Sequence, residues 1–382
     1  MLDKFFIGDT LQLDWDYIDS IPEMVKLKDC EQNPKWHGEG TAYEHTKKCV
    51  EAAYKLYSHI DTAHRIALVS VLLHDIGKAV TTTFEKGAWH AYGHEFAGER
   101  IARRILWNEP IWVRETICSA IRHHMEPLRV ADAKNADILK KLIFPTFNEF
   151  FSWELTLFVK QCDILGSVPE DDNETQIGIS KISWLSEILS ELHILNKNLF
   201  DETLYRAAVL GKKEPWIKSL EQKVPEVIVL IGMPGAGKNT WIEEFRLTLE
   251  GRNDYVVISR DDIRSELGFC EEGEKVVLSH DKEEQVSKVF NERFIKAISE
   301  KKNVILNNIN LRKTYRDAYK ELLQKHGIGN IKWIYIYIEA DSMETLLQRR
   351  PTIQPFVYKD LIDKFDFPQP GEYDIFNIVE RN

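Results

Sequence analysis

Apolar residues recur three and four positions apart through the first half of the chain, in EHTKKCVEAAYKLYS (Glu44–Ser58), AHRIALVSVLLHD (Ala63–Asp75), EFAGERIARRIL (Glu95–Leu106) and IWVRETICSAIRHHM (Ile111–Met125). That spacing keeps one face of an α-helix apolar, so residues 37 to about 220 are expected to be helical, with no convincing strand. From Val224 the pattern changes. The runs EVIVLIG, DYVVIS, NVILNNI and IKWIYIYIEA read as strands with helical stretches between them, the alternation of a parallel α/β sheet. The expected fold class is α plus α/β. An all-helical domain would occupy residues 1–210 and a parallel α/β domain 225–382, with a linker at about 211–224 within GKKEPWIKSLEQKVP.

At 382 residues the chain is long enough for two domains with full cores. No apolar run approaches the roughly 20 residues that span a bilayer. The start, MLDKFFIGDTLQLDWD, is acidic and has no secretory pattern, so a cytoplasmic protein is expected. Cys30, Cys49, Cys118, Cys162 and Cys270 form no CxxC pair and read as reduced thiols rather than a disulfide framework or a cysteine zinc site. A formal net charge of −11 argues against coating long duplex nucleic acid, yet it allows a local basic pocket for a nucleic-acid end. Oligomeric state, and any role for residues 1–36, are not legible.

Seven of the twelve histidines lie between His37 and His94, and His123 and His124 follow. The informative piece is LLHDIGK, where His74 and Asp75 end an apolar helix side by side, offering a nitrogen and an oxygen ligand to a divalent ion. His45, His94, His124 and Asp163 complete enough ligands for one or two metals. The ordered set, from WHGEGTAYEHT through HDIGK and YGHE to Asp163, resembles the HD phosphohydrolase superfamily. The resemblance implies a helical metal-dependent phosphohydrolase in which His45, His74, Asp75 and Asp163 hold a first metal and His94 and His124 a second. His124 is preferred to His123 by position in that pattern. The imidazole-rich set favours Mn, Ni, Co or Zn over Mg. Lys78 either contacts a phosphate oxygen or is a surface lysine, and His37, His59, His64 and His90 read as structural or surface histidines rather than ligands.

GMPGAGKNT, Gly232 to Thr240, follows a strand-like run and opens a helix, the context of a phosphate-binding loop. Gly232, Gly235, Ala236 and Gly237 would let backbone N–H groups approach phosphates while Lys238 reaches the β and γ oxygens. Asn239 stands where Ser or Thr usually ligates Mg²⁺. Its amide oxygen is a hard neutral ligand that can substitute, and Thr240 contacts phosphate or caps the helix. The next strand ends in ISRDDIR, which puts carboxylates and arginines where α/β sheets bind ligands.

GxPGxGK followed by RDDIR resembles the 5′-hydroxyl polynucleotide kinases. The resemblance implies Asp261 as general base, Arg264 on the 3′ phosphate of the acceptor nucleotide, and Arg349 or Arg350 of LLQRRP as the lid arginine. VILNNINLRKTYR resembles the DxTN strand end of that family, with Asn307 or Asn308 where Asp is usual. ATP or GTP with Mg would be the donor.

A hydrolase domain followed by a kinase domain resembles the bifunctional end-healing enzymes known as HD-Pnk. It implies repair of nucleic-acid ends, RNA more readily than DNA, with an RNA ligase as functional partner and no membrane. A nucleotide phosphohydrolase fused to a small-molecule kinase, and a nucleotide sensor without turnover, stay as alternatives.

Overall fold

The computed structural model describes residues 1–56, 62–133, 141–171, 173–195, 224–248, 255–270, 278–340 and 342–380. The chain separates into two compact units, Met1–Phe200 and Asp201–Asn382. Apart from Val224, the linker expected at 211–224 lies outside the described residues.

The first unit is built on helices α1 (Ala42–Leu56), α2 (Thr62–Leu73), α3 (His94–Ile105), α4 (Ile111–His123), α5 (Trp153–Gly166) and α6 (Asn173–Glu191). Every residue of α2 from Ile66 to Leu73 is buried, as expected of a helix that is apolar on all sides and packed among α1, α4 and α5. Buried positions on α1 include Ala42, His45, Thr46, Cys49 and Ala53, and on α5 Thr156, Val159, Lys160, Asp163 and Gly166. Both stripes thus carry ionisable residues at core positions. The two helices touch at a glycine, since a Cβ on Gly166 would lie 2.5 Å from Cys49 Sγ. One turn back along each helix, the same close approach sets His45 beside Asp163.

Residues 1–36 are integral to this unit, with Leu2, Phe5, Phe6, Leu13, Ile18, Met24 and Leu27 buried in its core. One feature departs from the helical expectation: a hairpin of β1 (Thr83–Glu85) and β2 (Ala88–His90). Its turn, Lys86 at φ 53° and Gly87 at φ 80°, has the two left-handed residues of a type I′ turn. Three-residue strands are too short for a period-two pattern to register.

The second unit is a five-stranded parallel sheet of β3 (Glu226–Ile231), β4 (Tyr255–Ile258), β5 (Asn303–Asn307), β6 (Lys332–Ile338) and β7 (Ile375–Val379). Their order is β4-β5-β3-β6-β7. Residues Val227–Ile231 of the central strand are fully buried, the environment that an unbroken apolar run requires. Helices α7 (Lys238–Leu247), α8 (Arg260–Glu266), α9 (His280–Ser299), α10 (Lys313–Lys325), α11 (Met343–Arg349) and α12 (Pro355–Asp363) accompany the sheet. The edge strand β7, half-buried, closes a tail in which the sequence pattern suggests no strand. Among the described residues no helix is long and apolar enough to cross a membrane.

Gly77 controls the turn after His74 and Asp75. A Cβ there would lie 1.9 Å from the His94 carbonyl oxygen and 2.5 Å from the Gly98 nitrogen, so Gly77→Ala must push neighbouring backbones apart. We expect a stability loss of about 1–3 kcal/mol or more. An unchanged urea midpoint would refute this account of the turn.

Candidate functional site

In the first unit, His45 from α1, His74 and Asp75 from the end of α2, His94 from the start of α3, His124 from the end of α4 and Asp163 from α5 converge in a cluster that is buried except for the half-buried His94. His45 Nε2 lies 3.0 Å from Asp163 Oδ1 and 3.6 Å from Asp75 Oδ2, and His74 Nε2 is 3.4 Å from Asp75 Oδ2 and 3.8 Å from Asp163 Oδ1. Asp75 turns its other oxygen away, with Oδ1 3.3 Å from His94 Nε2 and 3.9 Å from His124 Nε2. The carboxylate of Asp75 therefore stands between two ligand groups.

The ring orientations carry the chemistry. His74 Nδ1 is 2.7 Å from the Val71 carbonyl, His94 Nδ1 is 2.8 Å from Ala91, and His124 Nδ1 is 2.7 Å from Ile121. In each ring an Nδ1–H donates to the carbonyl three residues back, which leaves the Nε2 lone pair facing inward. His45 Nδ1 donates to Glu39 Oε1 at 2.7 Å, the carboxylate version of the same brace.

Two observations test whether a cation fits. His74 Nε2 is buried and makes no hydrogen bond, and the Nε2 atoms of His94 and His124 face each other at 3.2 Å. Two inward lone pairs at that distance call for a proton or a metal ion between them. The mixed imidazole and carboxylate donors match a borderline divalent ion, so the residues fit.

Without a metal, the electrostatics put a proton on His74 that a bound cation would displace. Burial works against charge on His74, but the neighbouring Asp75 and Asp163 carboxylates outweigh it and lift the imidazole to about 10. Burial, reinforced by nearby cationic groups, pushes His94 and His124 down, leaving them neutral. Asp75 and Asp163 stay ionised against burial because Lys78 and Lys160 pair with them, at 2.6 and 2.7 Å. Lys78 is thus no free surface lysine: its Nζ also donates to Gln32 Oε1 at 2.6 Å, on the wall of a cavity that reaches the cluster. His123 turns away and packs edge-on against Phe151. Glu39, Gln32 and Lys160 are not evident from sequence motifs. A charged residue on the apolar stripe of α5 was a signal for Lys160, whereas Glu39 and Gln32 lie in irregular segments without one.

In the second unit, β3 runs into the loop Gly232–Gly237, where Gly235 and Gly237 adopt φ of 85° and 99° that a side chain would resist. A Cβ on Gly232 would meet the Ile338 carbonyl at 2.8 Å, and Ala236 is fully buried beneath the loop. Lys238 Nζ donates to the carbonyls of Gly232 and Met233, while Thr240 is exposed in the first turn of α7. Asn239 Oδ1 accepts from Asn307 Nδ2 at 2.8 Å. The neighbouring Asn308 accepts from the Arg260 N–H at 3.0 Å. Because β5 lies between β3 and β4, its end ties the phosphate loop to the start of α8.

On α8, Arg264 pairs with Asp261 and lies 3.0 Å from Glu283 of α9, which also holds Arg260 at 3.0 Å. Asp261 is largely exposed, its side chain 67% accessible. The exposed Arg349 and Arg350 both lie over the loop: Arg349 Nη1 is 3.3 Å from the Gly235 carbonyl, and Arg350 Cγ would be 3.2 Å from a Cβ on Gly235. Glu283, and the buried Tyr358 whose hydroxyl donates to Pro234, were not anticipated.

Residues 42–144 match the model of the HD domain and residues 227–353 that of the AAA domain. The chain joins an HD domain to a P-loop AAA domain. The order is the one implied by the sequence. Over 161 residues the chain is 29% identical to the "Putative bifunctional polynucleotide kinase/RNA ligase" of Autographa californica nuclear polyhedrosis virus, covering 40% of this chain and 21% of that protein. A chain of the Pnkp1/Rnl/Hen1 RNA repair complex is 20% identical at a TM-score of 0.30, covering 40% of this chain and 50% of that one. A gluconokinase from Sinorhizobium meliloti is 18% identical at 0.29, covering 42% and 84%. The chain thus spans about a fifth of the curated relative and half of the repair-complex chain.

Metal-free protein is expected to be pH-sensitive with a defined sign. His74, raised from 6.5 to about 10, contributes stability that is complete below pH 6.5 and lost as pH rises through about 10. Mn²⁺ or Ni²⁺ should displace that proton, bind more tightly as pH rises across the window, and raise Tm; Asp75→Asn should abolish the rise. Calorimetry in buffers of different ionisation enthalpy would detect the released proton, and its absence would argue against His74 as a ligand.

Proposed function

We propose that this is a bifunctional nucleic-acid end-healing enzyme of the HD-Pnk type, acting in the cytoplasm on RNA ends more readily than DNA ends. The observation that carries the reading is one chain with two sites suited to phosphoryl groups: a buried imidazole and carboxylate cluster in an HD domain, and a phosphate loop tied through Asn307 and Asn308 to Asp261 and Arg264. The viral relative, named for polynucleotide kinase and RNA ligase activities, supports the choice of a polynucleotide acceptor.

In the kinase domain the loop amides of Gly235 and Gly237, with Lys238, would hold the phosphates of ATP or GTP, and Asn239 would serve the accompanying Mg²⁺. Asp261 takes the proton of a 5′-hydroxyl as its oxygen bonds to the γ-phosphorus and the oxygen bridging β and γ leaves with the electron pair. Arg264, braced by Glu283, binds the acceptor phosphate, and Arg349 or Arg350 neutralises charge over the loop.

In the HD domain His45, His74, Asp75 and Asp163 would hold one divalent ion, Mn, Ni, Co or Zn, and His94 and His124 with Asp75 a second. Such ions supply Lewis-acid charge and an activated water. The Nδ1 braces keep every Nε2 aimed inward, and Lys78, at the cavity wall, can lean from Asp75 to a phosphate oxygen. Water adds to phosphorus and gives up a proton, and the ribose oxygen leaves with its electron pair and takes up a proton to become a hydroxyl, opening a 2′,3′-cyclic phosphate or removing a 2′- or 3′-phosphate. The healed ends, 5′-phosphate and 3′-hydroxyl, are those that an RNA ligase consumes.

A 5′-hydroxyl, 3′-phosphate RNA oligonucleotide incubated with γ-labelled ATP, Mg²⁺ and Mn²⁺ or Ni²⁺ tests both activities on one gel. Lys238→Ala or Asp261→Ala should remove 5′-labelling by a hundredfold or more, roughly the effect of losing such a group, and spare phosphate removal. Asp75→Ala should do the reverse. Turnover of mononucleotides or sugars alone would favour the small-molecule reading, and binding without turnover a sensor. Asn239→Ala and Asn307→Ala should each slow the kinase, the double variant losing less than the two losses combined because the side chains act as a pair.

A further inference from the structure

The cavity that reaches Asp75, His94, His124 and Asp163 has a volume of about 570 Å³, ample for a nucleotide, and Trp36, Trp89, His90 and Tyr92 also line it. Such rings are usually buried, yet Tyr92 is 77% exposed and Trp36 42%. They are nevertheless ordered against partners. His90 and Tyr92 stack at 5.0 Å with planes 12° apart, Phe84 braces Trp89 edge-on at 5.0 Å, and Lys35 Nζ sits 4.7 Å above the Trp36 ring. Tyr92 precedes His94 by two residues, with Gly93 at φ 73° between them, so one strap from the β1–β2 hairpin delivers both an exposed ring and an inward imidazole.

We propose that Trp36, Trp89 and the His90–Tyr92 stack form a nucleobase-stacking wall that grips the base beside the phosphate being removed. This rests on the reading of the HD domain as a hydrolase of nucleic-acid ends. Flat rings in one cavity with inward imidazoles and carboxylates suit a ligand that has a π-face at one end and a phosphate at the other. Stacking tolerates any base, as an enzyme meeting breaks of unspecified sequence requires, and it needs an unpaired base, so the wall selects single-stranded ends. Lys35, beside Trp36, provides positive charge for a neighbouring backbone phosphate, whereas Lys181 in the cavity lining is already paired with Asp132 at 2.7 Å.

The test compares kcat/KM for a single-stranded 3′-phosphate oligonucleotide with that for the same oligomer carrying an abasic terminal nucleotide. The parent protein should prefer the base-bearing substrate roughly tenfold or more. Tyr92→Ala and Trp36→Ala should pull that ratio toward one, chiefly by raising KM for the base-bearing substrate, and Tyr92→Phe should keep it. Tyr92 is so exposed that its loss should leave the metal-induced rise in Tm intact, which checks folding. If the parent removes phosphate from both oligomers equally, or both alanine variants keep the preference, the wall is wrong while end healing stands. If the parent dephosphorylates mononucleotides and no oligomer, the end-healing reading fails and takes the wall with it.

Discussion

Two carboxylates, Asp75 and Asp163, are buried where apolar helices meet, and their charge must be answered from inside the fold. Ionised groups out of water are stable only when paired. Lys78 and Lys160, each within one helical turn of its partner, supply some of the compensation, and imidazoles supply the rest. Most of the first unit can be read as the scaffold this requires. The wholly apolar α2 carries His74 and Asp75 into the interior, the Cys49–Gly166 contact brings α1 close enough to α5 for His45 to reach Asp163, and Gly77 lets His94 approach.

The proposed kinase unit has the opposite problem, since its negative charge would arrive with the substrate. It would use backbone rather than buried side chains: glycines free loop amides that could point at phosphates, and the helix that follows would add its positive end. Asn239 and Asn307 bond to each other across the strand boundary, so two residues that look like separate departures from the usual pattern form one neutral amide pair. The same strand end pins α8 through Asn308, and Glu283 then orients Arg264 beside Asp261.

What was legible in the sequence follows from residues that break a local rule. His45 and Asp163 occupy core positions on helices, and His74 with Asp75 ends an apolar one; polar groups there are conspicuous because burial penalises them. The loop GMPGAGKNT was legible for a related reason, since its glycines are confined to a tight strand-to-helix passage. The hairpin at 83–90 and strand β7 were not, because strands of three to five residues lack the repeats from which a period can be read.

By itself, then, the sequence determined the succession of a helical region and an α/β region and pointed to a set of candidate metal and phosphate ligands, because each is written in local spacing. Only the tertiary structure decided that Asp75 faces two groups of imidazoles, that His124 points inward while His123 packs on Phe151, that Asn239 answers Asn307, and that four rings share the cavity of the imidazole–carboxylate cluster. Those are relations between residues distant along the chain. They depend on how helices cross and strands are ordered, and no local pattern records it.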